Sequence, residues 1–336
     1  MHWAPAAQPN SPMLPISVII PTRNSARQLP RHLAALRGWL AEVQEVVVVD
    51  SESSDGTLEL LRNGLQHPRC RVLSHPPGLY QSWNFGIRHL AAPYAYISTV
   101  GDTITLAGLK HLLDTAVAFE AEVVLSPPTF YEKGRRLERK QWTIHQHLGL
   151  LRILEPIPLP RSHLFLASAF AGPSGLMGSS ASNLYATRTL QDAPFPTDFG
   201  HVGDTAWGLI NAFRVRAALT PEPCATFEIH PNAGQIPEQA EFELADRLLE
   251  VARRTLSEAI AAAAVPPQAA NLRGILDEFA SLRQVARAAH SQYQALRRSR
   301  FPWFLQPRAW IVRRRRNLFR RAIRDLLVSS LRNFDF

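Results

Sequence analysis

The chain has 336 residues, and its share of 46% hydrophobic and 19% charged residues predicts a folded protein with a sizeable core. Its formal net charge of +9 is concentrated in one segment, because residues 297–324 hold eleven arginines and no acidic residue, which leaves 26 basic against 28 acidic residues elsewhere. The body is therefore close to neutral, unlike that of a protein that is basic throughout and binds nucleic acid. No apolar run approaches the roughly 20 residues of a transmembrane helix, and the spacing of Cys70 and Cys224 suggests no metal site.

The first 125 residues alternate between strand-like and helix-like segments. The strand-like runs are rich in valine and isoleucine, and they lie at residues 16–21, 45–50, 71–73, 94–99 and 122–125. Segments with helical spacing of apolar residues separate them, at residues 26–43, 57–65, 80–90 and 106–119. This alternation predicts an α/β fold with an open, mostly parallel sheet and with ligands beyond the carboxyl ends of its strands.

The remainder of the chain is less regular. Residues 131–200 are rich in proline, glycine and aromatic residues and have weak periodicity, which is typical of functional or disordered segments. Helical patterning returns at residues 204–213, 238–298 and 310–331. The expected organisation is a disordered leader, an α/β domain, a helical extension and a basic amphipathic tail, at residues 1–15, 16–235, 236–300 and 301–336.

Two polar segments follow strand-like runs and carry candidate chemistry. Residues 50–57, DSESSDGT, place Asp50 at a strand end, where a carboxylate can accept hydrogen bonds from a base or a ribose. The alternative is a turn in which Asp55 caps the next helix and Gly56 relieves the backbone. Residues 78–87, GLYQSWNFGI, open a helix whose N-terminus attracts a diphosphate, or else begin an ordinary amphipathic helix.

Together with ISVIIPTRN at residues 16–24, these segments resemble the opening of glycosyltransferase family 2, whose fold is the GT-A type. The resemblance implies a nucleotide-sugar donor, with a UDP-sugar as the first expectation. The donor-binding residues that it implies are Pro21, Thr22, Asn24, Asp50, Ser51, Gly78, Asn84, Gly101 and Asp102. The sequence departs from the family at Ser51, where a second aspartate usually stands, and at Gln81, which replaces an acidic residue.

The same resemblance implies a metal site. Asp102, after the run at residues 94–99, stands where the family carries an aspartate-rich motif, and a nucleotide diphosphate supplies most of the remaining oxygen ligands of Mn²⁺ or Mg²⁺. His230 falls where many members have a histidine near the diphosphate and the metal. The alternatives are a turn aspartate for Asp102 and a structural histidine for His230.

Asp204 is the candidate catalytic base. It lies just before a predicted helix, where the inverting enzymes of the family place an acidic residue; its other reading is an N-cap, and the two roles are compatible. Residues 175–184, GLMGSSASNL, stand where the family has an acceptor-side segment, although such small residues also suit a core turn.

The basic tail predicts a membrane-associating helix. In residues 310–331, Val312, Phe319, Ile323, Leu326 and Leu327 fall near one face, opposite three arginines. Arginine interleaved with aromatic residues is typical of a helix in an anionic membrane interface. The alternative is a helix that packs on the catalytic domain and exposes its charged face; no motif supports nucleic acid.

The function expected is inverting transfer of a sugar from a nucleotide-diphosphate donor to a hydroxyl of a glycan or lipid-linked acceptor, at the cytoplasmic face of a membrane. Because the N-terminus has no signal-peptide pattern, a cytoplasmic location is expected. The alternative is a non-catalytic relative that binds nucleotide sugar or glycan as a membrane-associated scaffold, which Ser51, Gln81 and the single Asp102 keep open.

Overall fold

A computed structural model describes residues 13–229, 238–265, 271–298 and 307–332. The strands are β1 (Leu14–Thr22), β2 (Val43–Asp50), β3 (Cys70–Ser74), β4 (Tyr94–Ile97), β5 (Thr103–Ile104), β6 (Val123–Leu125), β7 (Pro128–Glu132), β8 (Arg135–Arg136), β9 (Ile157–Leu159), β10 (Leu184–Ala186), β11 (Ala217–Leu219) and β12 (Ala225–Glu228). The helices are α1 (Leu29–Leu36), α2 (Thr57–Gly64), α3 (Leu79–Ile87), α4 (Leu106–Ala118), α5 (Thr143–Leu151), α6 (Arg161–Ala171), α7 (Thr187–Asp192), α8 (Gly203–Asn211), α9 (Glu238–Ala261), α10 (Leu272–Arg298) and α11 (Pro307–Arg332).

The main sheet has eight strands in the order β3-β2-β1-β4-β10-β6-β11-β9. Strands β1 to β4 run parallel, β10 runs antiparallel to both of its neighbours, and β6 and β11 again run parallel to each other. The carboxyl ends of six strands therefore meet at one edge, which confirms the predicted α/β class. A second, separate sheet has four strands in the order β5-β12-β7-β8.

Both faces of the main sheet are buried, because its strands alternate apolar side chains between two cores. Val46 and Val48 of β2 face a core shared with α1 and α4, and Val47 and Val49 face a second core shared with α3, α6 and α8. Gly86 lets α3 approach the second face closely, since a Cβ there would come within 2.4 Å of Ile19. This close packing fixes the start of α3 relative to the ends of β1 and β2.

The weakly periodic middle of the chain is ordered. It contains α5, α6 and α7 together with four short strands, and α6 is buried on nearly every side by α8, α9 and α11. A helix that is apolar all round has no amphipathic stripe, which explains why periodicity gave no signal at residues 161–171. The helix predicted at residues 26–43 is also shorter, since α1 ends at Leu36.

The C-terminal helices pack on the body. Ile323, Leu326 and Leu327 of α11 are partly buried against the core that contains α6, and Leu331 is only 1% exposed. The Leu331 carbonyl accepts a hydrogen bond of 2.7 Å from Nε2 of His163, a buried residue of α6. Much of the face predicted to enter a membrane is thus covered by protein, which agrees with the alternative reading of this segment. Within the described residues, no helix is both long and apolar enough to span a bilayer.

Candidate active site

The ends of β1 and β2 form the first part of the site. Thr22 and Asp50 are paired across these strands, and the Ser51 N–H donates to the Thr22 carbonyl at 2.9 Å. The Asp50 carboxylate accepts from the hydroxyl and the N–H of Ser53, at 2.6 and 3.0 Å. A carboxylate has about four acceptor positions, so Asp50 keeps capacity for a ligand. The Thr22 hydroxyl is buried and has no hydrogen-bond partner among the described residues. Because buried polar groups are normally paired, this hydroxyl is a candidate to bind a ligand.

The loop after β2 is fastened to the loop after β1. Oδ1 of Asn24 accepts from the Ser54 N–H at 2.9 Å, and Asp55 accepts from the Ala26 N–H at 3.0 Å. A hydrogen bond from the Thr57 hydroxyl is the main reason why the pKa of Asp55 lies below its usual value. Asp55 therefore joins the two loops. Gly56, the residue before α2, has a left-handed conformation with φ of 87°. Pro21 lies half-buried beside Thr22.

The two departures from the family pattern have structural partners. Ser51 shares a hydrogen bond of 2.6 Å with Ser82 of α3, so its hydroxyl holds α3 against β2. Gln81 folds back over Gly78, and a Cβ at Gly78 would lie 2.7 Å from its amide oxygen. Gly78 itself has an extended φ of 162°, so this close approach, and not backbone freedom, is what the glycine accommodates.

The Asn84 side chain is already hydrogen-bonded within the protein, whereas the N–H groups at the start of α3 are free to bind a ligand. The Asn84 amide exchanges two hydrogen bonds with the Phe195 backbone, at 2.8 and 2.9 Å, and so anchors the segment before α8. Its side chain is thereby committed to the protein. The first N–H groups of α3 have no intrahelical partners and lie at the carboxyl edge of the sheet, where they can bind an anionic group.

Asp102 follows β4 and is held from three directions. Its carboxylate accepts from the Thr99 hydroxyl at 2.7 Å, the Ser179 hydroxyl at 3.3 Å and the Glu228 N–H at 3.2 Å. Burial raises the pKa of Asp102 to about 7 and outweighs these hydrogen bonds. Gly101 beside it has a φ of 108°, which favours glycine. His32 of α1 supports the turn, with Nδ1 3.0 Å from the Asp102 carbonyl.

Asp204 lies in the first turn of α8, half-buried next to Tyr80 of α3. Burial raises the pKa of Asp204 to about 6, while a hydrogen bond from the Thr205 N–H and the neighbouring Tyr80 side chain lower it. The Tyr80 hydroxyl also donates to the His201 carbonyl at 3.0 Å. At Gly203 a Cβ would come within 2.5 Å of the Tyr80 ring, so glycine permits this approach of α8 to α3. A carboxylate that titrates near neutrality in this position is suited to accept a proton.

The segment at residues 175–183 connects the two carboxylates. Ser179 bonds Asp102, whereas a Cβ at Gly175 would lie 2.3 Å from Oγ1 of Thr205, the residue after Asp204. Asn183 holds the segment in shape by donating to the Met177 carbonyl at 2.7 Å. The acceptor-side segment of the sequence analysis thus lies between the candidate metal ligand and the candidate base.

The residues present provide a limited metal site. Within the ranges that the structure describes, no group of three or more His, Cys, Asp or Glu side chains is placed to hold a metal, and His230 lies outside those ranges. At this position Asp102 offers a buried carboxylate, and Glu228 next to it raises its pKa further. A divalent cation fits here if a diphosphate supplies most of its ligands, since a cation would favour the ionised carboxylate that burial disfavours.

Several residues of the site escaped the sequence analysis as individual candidates. Tyr80 and Ser179 were inside the quoted segments, but nothing in their spacing singled them out. Glu228 and His32 carried no motif, because they reach Asp102 only through β12 and α1. Only the tertiary contacts of Glu228 and His32 with Asp102 identify them as residues of the site.

A strand-end aspartate, an open helix start and a second carboxylate beside that helix are consistent with a nucleotide-sugar-dependent glycosyltransferase of the GT-A fold. Residues 17–172 match the family model Glycosyl transferase family 2. Through that segment the chain is similar to glycosyltransferase family 2.

The fold is similar to that of solved glycosyltransferase structures. Residues 1–349 of TarS from S. aureus in complex with UDP-GlcNAc are 16% identical, with a TM-score of 0.52 over 73% of this chain and 72% of that chain. The same fragment in complex with UDP is 15% identical, with a TM-score of 0.49 over 96% of this chain and 92% of that chain. No curated protein matches the sequence.

Proposed function

We propose that the chain transfers a sugar from a UDP-sugar to a hydroxyl of a glycan or lipid-linked acceptor by a single, inverting displacement. The observation that supports it best is the position of Asp204 next to Tyr80, because it brings a carboxylate of pKa about 6 to the helix whose N-terminus can hold the donor phosphates. The UDP and UDP-GlcNAc bound by TarS make a uridine nucleotide the first donor to test.

The residues have separate roles in this proposal. Thr22 and Asp50 bind the nucleoside, and the first N–H groups of α3 bind the diphosphate. Asp204 accepts the proton of the acceptor hydroxyl as the new glycosidic bond forms and the bond to the diphosphate breaks. Asp102 would hold a Mn²⁺ or Mg²⁺ ion, which offsets negative charge on the leaving diphosphate. Its N–H and hydroxyl partners keep this carboxylate oriented when it is ionised.

A thermal-shift screen tests the donor site. UDP, GDP, UDP-GlcNAc and UDP-glucose are each added with and without Mn²⁺, and a ligand at 100 times its dissociation constant adds about 2.7 kcal/mol to the free energy of unfolding. The proposal expects a larger rise of the melting temperature with UDP compounds than with GDP, and a further rise with Mn²⁺. No rise with any nucleotide, in a protein that unfolds cooperatively, would contradict it.

Turnover distinguishes the proposed enzyme from a non-catalytic scaffold. A non-catalytic relative would bind UDP-GlcNAc without ever releasing UDP, whereas a transferase releases UDP slowly to water and faster when an acceptor is present. Ser51 and Gln81 carry less weight for the scaffold than the sequence suggested, because each has a structural role at α3.

We also propose that α11 associates with anionic membranes through electrostatic attraction. Arg314, Arg321 and Arg324 of α11 are exposed, while its apolar face is partly covered. Arginines near an anionic surface contribute about 1 kcal/mol each, so binding should depend on lipid charge and on salt. Flotation with phosphatidylglycerol vesicles is expected at 50 mM salt and lost at 500 mM. Equal flotation with neutral phosphatidylcholine vesicles would contradict an electrostatic mode.

A further inference from the structure

A groove of about 1010 Å³ lies between α5 and α11. The α5 side contributes the polar side chains of Gln146 and His147, and the α11 side contributes Arg324 together with two apolar residues. Trp142, the residue before α5, lies at one end. The groove thus combines an aromatic ring, amide and imidazole groups and positive charge.

His147 is the unusual residue of this groove. It is only 1% exposed, and neither ring nitrogen has a hydrogen-bond partner among the described residues. His145 on the same helix shows the ordinary case, because its nitrogens bond the Trp142 N–H and the Pro128 carbonyl. Burial lowers the pKa of His147 to about 4, so its ring is neutral and offers one donor and one acceptor. Buried polar groups are normally paired, so an imidazole that lacks partners and lines a groove indicates a ligand.

Trp142 connects the groove to the candidate active site. Its ring packs on Phe130 and Phe227, with centroids 4.8 and 4.7 Å apart. A Cβ at Gly178 would lie 3.4 Å from the Trp142 ring, and the next residue, Ser179, bonds Asp102. The Trp142 end of the groove is therefore next to the segment between the two carboxylates.

The charge of the groove is positive. Lys140 and Arg324 line it and are exposed, and no acidic side chain is among its described lining residues. A smaller cavity of about 340 Å³ adjoins it at Phe170 and Ile323. The arginines of that cavity differ, since Arg283 and Arg287 are both paired with one aspartate, at 3.0 and 2.8 Å. The described lining of the α5–α11 groove therefore has two cationic side chains, Lys140 and Arg324, and no acidic side chain.

We propose that this groove binds the acceptor and that the acceptor is an anionic glycan, which carries carboxylate or phosphate groups. The proposal rests on the proposed function, because it assigns the acceptor of that same site. Trp142 stacks on a sugar ring, Gln146 and His147 exchange hydrogen bonds with hydroxyls, and Lys140 and Arg324 pair with the acidic groups. In this assignment α11 is a wall of the acceptor site, and its Arg324 helps to select an acidic acceptor.

Matched glycans test the charge requirement. Heptagalacturonate, its fully methyl-esterified neutral form and a phosphorylated oligomannoside with its dephosphorylated form are titrated into the full chain by calorimetry. One or both acidic glycans should bind at least about tenfold more tightly than their neutral forms, with the difference shrinking at high salt. The acidic glycan that binds distinguishes a carboxylate from a phosphate acceptor.

Matched variants test the location. Arg321 and Arg324 are both exposed on α11, but only Arg324 lines the groove. Arg324→Glu should weaken binding of the acidic glycan about tenfold or more, because it replaces a charged hydrogen bond with repulsion. Arg321→Glu should change it less than threefold. Lys140→Glu provides a second groove variant, on an element remote from α11 in sequence.

The outcomes are distinct. Equal binding of acidic and neutral glycans, no glycan binding by a chain that still binds UDP, or equal effects of the two arginine variants would each overturn the proposal. Anionic vesicles that bind while neither acidic glycan does would assign the arginines to a membrane instead, and would also overturn it. Failure of the proposed function shows separately, as absence of UDP binding and of UDP-GlcNAc hydrolysis by a chain that still binds the acidic glycan.

Discussion

The carboxyl edge of β1 to β3 and the layer formed by α5, α6, α8 and α11 are built differently. At the edge, the Asp50 carboxylate is held by its near neighbour Ser53, and Asn24 and Asp55 are held by the adjoining loop. In the helical layer the partners come from distant parts of the chain: Tyr80 meets Asp204, and His163 meets Leu331. The proposed donor half is therefore specified largely by local contacts, and the proposed acceptor half depends on tertiary packing.

Replacing Asp204 should have the largest effect. General-base help is typically worth 10²–10⁴ in rate, so Asp204→Asn should lower kcat at least about 100-fold and leave UDP affinity within twofold. UDP release in the presence of an acceptor measures it. Asp198→Asn, an exposed aspartate paired with Arg247, is the control and should keep full activity. Normal turnover by the Asp204 variant would remove the base assignment.

Truncating Leu331 tests whether α11 belongs to the folded body. Deleting a buried leucine side chain costs about 2–5 kcal/mol, so Leu331→Ala should lower the free energy of unfolding in urea by about that amount. Leu318 of the same helix is 52% exposed, and Leu318→Ala should change it by less than about 0.5 kcal/mol. Equal, small losses for both variants would mean that α11 is not docked in solution.

The neighbouring residues Asp50 and Ser51 should differ in donor binding. Asp50→Ala removes a carboxylate with free acceptor capacity, and the loss of a charged hydrogen bond should weaken UDP about tenfold or more. Ser51→Ala removes a hydroxyl that bonds Ser82, so UDP affinity should change less than threefold. Calorimetric titration of UDP measures both. A larger loss for Ser51 would place its hydroxyl on the donor.

The smallest effect expected is a shift in pH dependence. Since the pKa of Asp204 is raised to about 6 and a base must be ionised, the rate should rise as the pH increases through about 6 and level off above it. The Tyr80 side chain next to Asp204 lowers this pKa, so Tyr80→Phe should move the midpoint of the profile upward. Tyr94→Phe, at the opposite edge of the sheet, should leave the midpoint unchanged. A downward shift for Tyr80→Phe would reverse the proposed role.

The sequence by itself determined the α/β class and the order of the first six elements, because strand and helix periodicities are local properties. Its motifs also gave Asp50, Asp102 and Asp204 as candidates, through their resemblance to glycosyltransferase family 2. Only the tertiary structure placed Tyr80 on Asp204 and Ser179 on Asp102. It also committed Asn84 to Phe195, ordered α6 inside the core and turned the apolar face of α11 toward the protein. The physical reason is that burial and pairing across long sequence separations carry no periodic signal along the chain, since each depends on which surfaces meet.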